Sequence, residues 1–165
     1  MDFQLRPWTM ADLDRLVEIA DNPNIANNMS DKFINPYTFD QGKKFIDFAI
    51  GTNPHRILAI SIENTVAGAI GIHPQTDIYS KNAELGYWLA EEYWGKGIMT
   101  KAIIQMVEYG FKTWDLNRIF ARPFGRNYGS QRALEKAGFE LEGKFIKSIY
   151  KNGIYIDELV YAIRK

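Results

Sequence analysis

Residues 94–100, Trp-Gly-Lys-Gly-Ile-Met-Thr, place two glycines and a lysine where an extended segment gives way to a helix-periodic one. The chemistry this order allows is anion binding. A helix start leaves about four backbone N–H groups without an internal partner and carries the positive end of the helix dipole, so a phosphate is drawn to it. Glycine lets the anion come close to the backbone, and Lys96 could add a positive charge. Gly95, Lys96, Gly97, Ile98, Met99 and Thr100 therefore form the first candidate binding turn. It is not a Walker loop, which needs Gly-x-x-x-x-Gly-Lys-Ser/Thr, and it lacks the third glycine of a dinucleotide fingerprint. A plain tight turn would use the same residues, so the stretch taken alone leaves both readings open. Farther on, Arg132 and Lys136 stand four apart on one helix face and, with Arg126, could meet a phosphate; a solvated face reads the same way.

The elements that must position this turn follow from periodicity. Phe3-Gln4-Leu5-Arg6 alternates as a strand stopped by Pro7. Thr9 caps a helix to about Ala20, whose apolar stripe is Leu13, Leu16, Val17 and Ala20. Residues 21–36, rich in Asn and Pro, read as a loop holding at most one short turn. Thr38-Phe39-Asp40-Gln41 fits a capping box that opens a helix to about Ile50. Arg56 to Ile62 and Val66 to Ile72 form a hairpin around Glu63-Asn64-Thr65. A strand at 83–89 precedes the glycine turn, and a helix at 98–111 follows it. Arg118 to Phe124 is a strand, and Tyr128 to Ala137 a helix stopped by Gly138. Two last strands flank Lys151-Asn152-Gly153, a strong hairpin signal. The order β-α-α-β-β-β-α-β-α-β-β gives an α+β fold: a mixed, largely antiparallel sheet covered by helices.

Composition bounds the function. At 165 residues, with no repeat or Pro/Gly/Ser linker, the chain suits one domain, 1–165. Lys+Arg and Asp+Glu stand at 20 each, so bulk charge names no nucleic-acid partner. The balance is uneven: residues 1–117 carry 10 basic and 15 acidic side chains, and residues 118–165 carry 10 and 5. One end therefore suits a cation and the other an anion. The absence of cysteine excludes disulfides and thiol nucleophiles, and two histidines, His55 and His73, do not make a metal site. No signal-peptide order or membrane-length apolar run is present, so a cytoplasmic location is expected.

Three blocks together carry a resemblance: Glu84-Leu85-Gly86-Tyr87-Trp88-Leu89, Tyr93-Trp94-Gly95-Lys96-Gly97-Ile98-Met99-Thr100, and Asn127-Tyr128-Gly129-Ser130 followed by Leu134-Glu135-Lys136-Ala137-Gly138-Phe139. They resemble the GNAT acetyltransferase superfamily, and within it the ribosomal-protein N-acetyltransferases. The likeness runs from Leu5-Arg6-Pro7 to the last hairpin. It implies that the turn at 95–100 binds the pyrophosphate of acetyl-CoA through backbone amides. It also implies that main chain near Leu89 holds the pantetheine arm, and that Asn127 is a cofactor contact; Asn127 is equally a good N-cap. The family pattern Gln/Arg-x-x-Gly-x-Gly/Ala falls on Trp94, Gly97 and Met99, so two of its three positions depart here.

Acetyl transfer from a thioester to an amine needs the amine deprotonated, the developing oxyanion stabilised and the thiolate received. Many relatives place a tyrosine seven residues after the Asn at 127; here that residue is Leu134. Ser130 is the alternative that the ribosomal-protein subgroup offers, with Tyr128 behind it, although a Ser in a first helical turn also serves as a cap. Glu84 is the candidate base, acting through water or with its pKa raised by burial. A strand Glu paired with Lys or Arg is the competing reading, and His73 a distant alternative.

The resemblance implies an acetyl-CoA-dependent N-acetyltransferase acting on a primary amine, chiefly a protein N-terminal α-amine, with small amines or polyamines as the alternative. Specificity is expected in 21–36 and 73–82, where asparagines, Asp21, Asp31 and Asp77 could attract a cation. The competing class is a non-catalytic acyl-CoA-binding module. No metal, nucleic acid or membrane partner is expected, and exposed sheet edges allow a homodimer.

Overall fold

The computed structural model describes residues 1–165. Seven strands, β1 (Gln4–Arg6), β2 (Ile57–Ile62), β3 (Thr65–Pro74), β4 (Asn82–Leu89), β5 (Arg118–Ala121), β6 (Glu140–Lys151) and β7 (Ile154–Arg164), hydrogen-bond in the order β1-β2-β3-β4-β5-β7-β6. Five helices accompany them: α1 (Leu13–Ala20), α2 (Pro23–Ala26), α3 (Phe39–Ile50), α4 (Ile98–Thr113) and α5 (Tyr128–Lys136). Within the sheet, β1·β2, β2·β3, β5·β7 and β6·β7 are antiparallel, while β4 and β5 run parallel because α4 carries the chain back between them. No helix is long and apolar enough to cross a membrane.

Both hairpins turn as the sequence dictates. Glu63 and Asn64 have φ of 49° and 64°, and Asn152 and Gly153 have 52° and 80°. Two consecutive left-handed residues match the right-handed twist of paired strands. Three local readings change and one is kept. The helix begun at Thr9 starts as a 3-10 turn, Met10–Asp12, before α1. The 21–36 loop keeps the one short turn expected of it, α2, a one-turn helix that Asn22 caps by accepting from the Asn24 N–H at 2.9 Å. The capping box at Thr38 is half built: Thr38 Oγ1 accepts from the Gln41 N–H at 3.2 Å, while the Gln41 side chain donates to the Lys32 carbonyl. The strand expected to reach Phe124 stops at Ala121, since Pro123 has no N–H for the ladder; Phe124 keeps a single bridge to Glu158.

The chain sorts into two units, each assembled from separated segments. The first takes Met1–Gly71 and Tyr87–Ile98. Its core joins Trp8, Leu16, Ile46 and Val66 to Trp88 and Ala90, with Phe33 edge-on to Trp88 at 5.7 Å between ring centres. Here glycine is required: a Cβ at Gly68 would lie 2.3 Å from the Trp88 carbonyl oxygen and 3.0 Å from the Leu89 Cα. That close approach brings the end of β4 against β3, where the Ala90 N–H donates to the Ala67 carbonyl at 2.8 Å. The second unit takes Ile72–Gly86 and Met99–Lys165. Gly110 of α4 sits on Ile72 and Ile119, leaving no room for a larger residue without repacking. Ile103, Met106, Ile119 and Leu134 are fully buried there.

Candidate active site

In the first unit, β4 ends at Leu89 and a 3-10 turn, Glu91–Tyr93, delivers the chain to Trp94-Gly95-Lys96-Gly97 and the start of α4. Gly95 and Gly97 adopt φ of +72° and +75°, a region that favours glycine. A Cβ on either would meet nothing within 4 Å. Residues 94–97 are exposed, and Ile98 is buried at 2% and anchors the helix start. The N–H groups of a helix's first turn have no intrahelical acceptor. Open space over two left-handed glycines at a helix start fits a pyrophosphate approaching the backbone.

Two side chains of this turn act differently from the sequence expectation. Lys96 turns back: its ammonium donates to the Glu92 carbonyl at 2.7 Å and lies 5.4 Å from the Tyr93 ring centre. Its charge is spent closing the turn rather than aimed outward at a ligand. Trp94, standing where the family pattern has Gln or Arg, donates its indole N–H to the Leu89 carbonyl at 2.7 Å. The Leu89 carbonyl thus already accepts one hydrogen bond from the turn itself.

The same turn is tethered by residues that sequence reasoning did not single out. The Glu91 carboxylate accepts from Asn22 Nδ2 at 2.7 Å and from Asn24 Nδ2 at 3.0 and 3.1 Å. These hydrogen bonds hold the carboxyl below its ordinary pKa, the Asn22 bond foremost. Glu92 pairs with Arg15 of α1, which also pairs with Glu18 at 2.9 Å. No local pattern announces partners 67 to 77 residues apart.

In the second unit, Glu84 lies on β4 opposite Phe120 of β5. Its two carboxylate oxygens accept from Arg122 Nε at 3.1 Å and Nη2 at 3.4 Å, a half-exposed forked ion pair. The ion-paired arrangement that competed with the base role is therefore present. Met99 and Thr100, half-buried, form the first turn of α4 in this unit. Asn127 is the N-cap of α5, its Oδ1 accepting from the Ser130 N–H at 3.2 Å. The capping duty considered for Ser130 belongs to Asn127, and Ser130 is the residue capped. Gln131 steadies the preceding turn by donating to the Phe124 and Gly125 carbonyls at 3.3 and 3.1 Å. Leu134 is fully buried, so the position where relatives have a tyrosine is core in this chain. Tyr128 is 69% exposed. Arg132 and Lys136 are exposed on α5, as is Arg126 ahead of it. Tyr161 of β7 donates to Glu135 Oε1 at 2.9 Å, and burial, reinforced by that carboxylate, pushes its pKa up to about 12.

Comparison with known proteins agrees with this architecture. Residues 2–140 match the model of the acetyltransferase (GNAT) domain. A putative ribosomal N-acetyltransferase of Bacillus subtilis, YdaF, is 35% identical over 103 residues, 62% of this chain and 56% of that protein. The spermidine N(1)-acetyltransferase of Escherichia coli is 25% identical over 153 residues, 92% of this chain and 80% of that one. The microcin C7 self-immunity acetyltransferase MccE, solved in complex with acetyl-CoA and AMP, superposes with a TM-score of 0.82 at 26% identity, over 99% of this chain and 93% of that one. Alignments with several curated relatives span about half of their length. With the family model covering most of its residues, the chain belongs to the GNAT acetyltransferase family.

Proposed function

We propose that this protein transfers the acetyl group of acetyl-CoA to a primary amine, with a protein N-terminal α-amine as the acceptor. The observation that carries the reading is the pair of open left-handed glycines, Gly95 and Gly97, at an exposed helix start. In a GNAT chain that turn takes the pyrophosphate, through backbone N–H groups and the helix dipole rather than through Lys96. MccE, the neighbour solved with acetyl-CoA, supports the choice of donor. When bound, acetyl-CoA supplies an activated acetyl group and a thiolate leaving group.

The chain's own residues supply the rest. The amine must shed a proton as its nitrogen bonds to the acetyl carbon and the C–S bond breaks. Glu84, whose oxygens each accept from Arg122 and keep a further lone pair, receives that proton through a water. Ser130 offers a hydroxyl to the developing thiolate from the first turn of α5, whose geometry Asn127 fixes. YdaF's name favours a protein α-amine, and the spermidine enzyme's name keeps a polyamine in view.

A second reading, a non-catalytic acyl-CoA-binding module, is favoured by the Glu84–Arg122 pair and by Leu134 in the core. One assay separates the two. Thiol release is followed with acetyl-CoA and a panel of N-terminal peptides, spermidine and small amines. Turnover with a peptide and not with spermidine is expected. Acetyl-CoA binding without thiol release on any acceptor favours the module.

A further inference from the structure

We propose that Glu91 is a positioning residue that ties the 21–36 segment to the glycine turn, so that the acceptor-side loop and the acetyl-CoA turn are held as one body. The inference rests on the acetyltransferase reading above and adds a coupling to it. Three observations carry it. First, the turn cannot fix itself by packing: residues 94–97 are exposed, and Gly95 and Gly97 have nothing within 4 Å where a side chain would be. Second, the hydrogen bonds that the turn makes within itself are local. The Trp94 N–H donates to the Glu91 carbonyl at 3.0 Å, the Trp94 indole to Leu89 and the Lys96 ammonium to Glu92. These set the shape of 91–97 between two backbone fixtures, the Ala90 N–H on the Ala67 carbonyl at 2.8 Å and the buried Ile98.

Third, the side-chain ties to distant sequence come from α1 and the start of α2. Asn22 and Asn24 converge on the Glu91 carboxylate with three hydrogen bonds of 2.7 to 3.1 Å, and Arg15 adds Glu92. Asn22 also caps α2 through Asn24 and accepts from the Ile25 and Ala26 N–H groups at its own carbonyl, both at 3.1 Å. A change in the position of Glu91 is therefore passed to the start of α2 and into the loop behind it. The carboxylate is the single acceptor shared by both asparagines, so its removal cuts both ties at once.

The probe is acetyl-CoA, and the readouts are its affinity by calorimetry and amide hydrogen exchange along the chain. In wild type, acetyl-CoA should slow exchange at 94–98 and also at 22–28, by about tenfold in each. In Glu91→Ala the protection should stay at 94–98, with affinity about fivefold weaker and the melting temperature within a degree or two. Asn22→Ala with Asn24→Ala should reproduce this loss and add nothing on top of Glu91→Ala. Glu91→Gln, which keeps one acceptor oxygen, should restore part of the affinity. Protection reaching 22–28 in Glu91→Ala as fully as in wild type overturns the coupling, as does its absence from 22–28 in wild type that binds. Wild type that fails to bind acetyl-CoA overturns the acetyltransferase reading itself, and the inference with it.

Discussion

Replacing Gly97 with valine tests the cradle most directly, and the structure separates its two consequences. At φ of +75° an L-residue is strained by about 1–2 kcal/mol, a branched one at the upper end. No clash adds to this, because the new Cβ meets nothing within 4 Å. For a chain of this size each kcal/mol is roughly 2–4 °C of melting temperature, so a fall of about 3–8 °C is expected. The same side chain fills the space through which a phosphate would reach the helix-start amides. Acetyl-CoA affinity should drop at least about tenfold, equivalent to roughly 1.4 kcal/mol. Lys96→Ala is the paired control: with its ammonium on the Glu92 carbonyl, it should change affinity by less than about threefold. Calorimetric titration alongside a melting curve reads all of these. An unchanged affinity for Gly97→Val, with the modest melting shift present, refutes the cradle; a loss confined to Lys96→Ala would mean that the side chain, not the backbone, holds the anion.

Glu84→Gln should lower kcat by about 10²–10⁴ if the carboxylate takes the amine's proton, while loss of the half-exposed Arg122 pair costs at most about 1 kcal/mol; a small melting shift with intact kcat would leave Glu84 as a structural ion pair. Ser130→Ala should reduce kcat by roughly 10–150-fold with acetyl-CoA affinity unchanged, the value of one hydrogen bond to a developing charge. Its melting temperature should barely move, because the cap is Asn127, and Asn127→Ala should instead cost about 1 kcal/mol; the reverse pattern on melting curves would return the cap to Ser130.

The fold was legible wherever a few neighbouring residues decide the geometry. Asn152-Gly153 and Glu63-Asn64 set their hairpins through backbone preference, and Leu13, Leu16, Val17 and Ala20 declare one helix face by spacing alone. The glycine turn was legible as a turn for the same reason, since the positive φ of Gly95 and Gly97 is a backbone preference. Side-chain destinations were not. Lys96 is a free charge on paper, and its retreat onto Glu92 depends on the 3-10 turn at Glu91–Tyr93. Glu91 and Asn22 are unremarkable surface residues until folding brings them together from 69 positions apart. Glu84 could be read as base or ion pair because alternation places it on a face without saying what stands on the next strand; Arg122 does.

The missing tyrosine can now be placed in terms of proton chemistry. Leu134 is wholly buried, where a phenol would need both room and a hydrogen-bond partner to offset its desolvation. The other tyrosine beside α5 does not replace it. Tyr161 has its proton on Glu135 and a pKa pushed up to about 12, which makes it a poorer donor than an ordinary phenol. Tyr128 is 69% exposed and competes with water for any role. On the proposed reaction this matters less than it would for an alkoxide leaving group. A thiol's unperturbed pKa is near 8.5, so a thiolate departing near neutral pH needs little more than a hydrogen bond and then a proton from solvent. A hydroxyl such as that of Ser130 is too weak an acid to complete the transfer, yet it can donate that one bond as charge develops. The substitution of core leucine for tyrosine is thus compatible with turnover. On that reading the burden of catalysis falls on holding the amine and thioester in place, the task proposed for the backbone turn at 95–100 and the tether at Glu91.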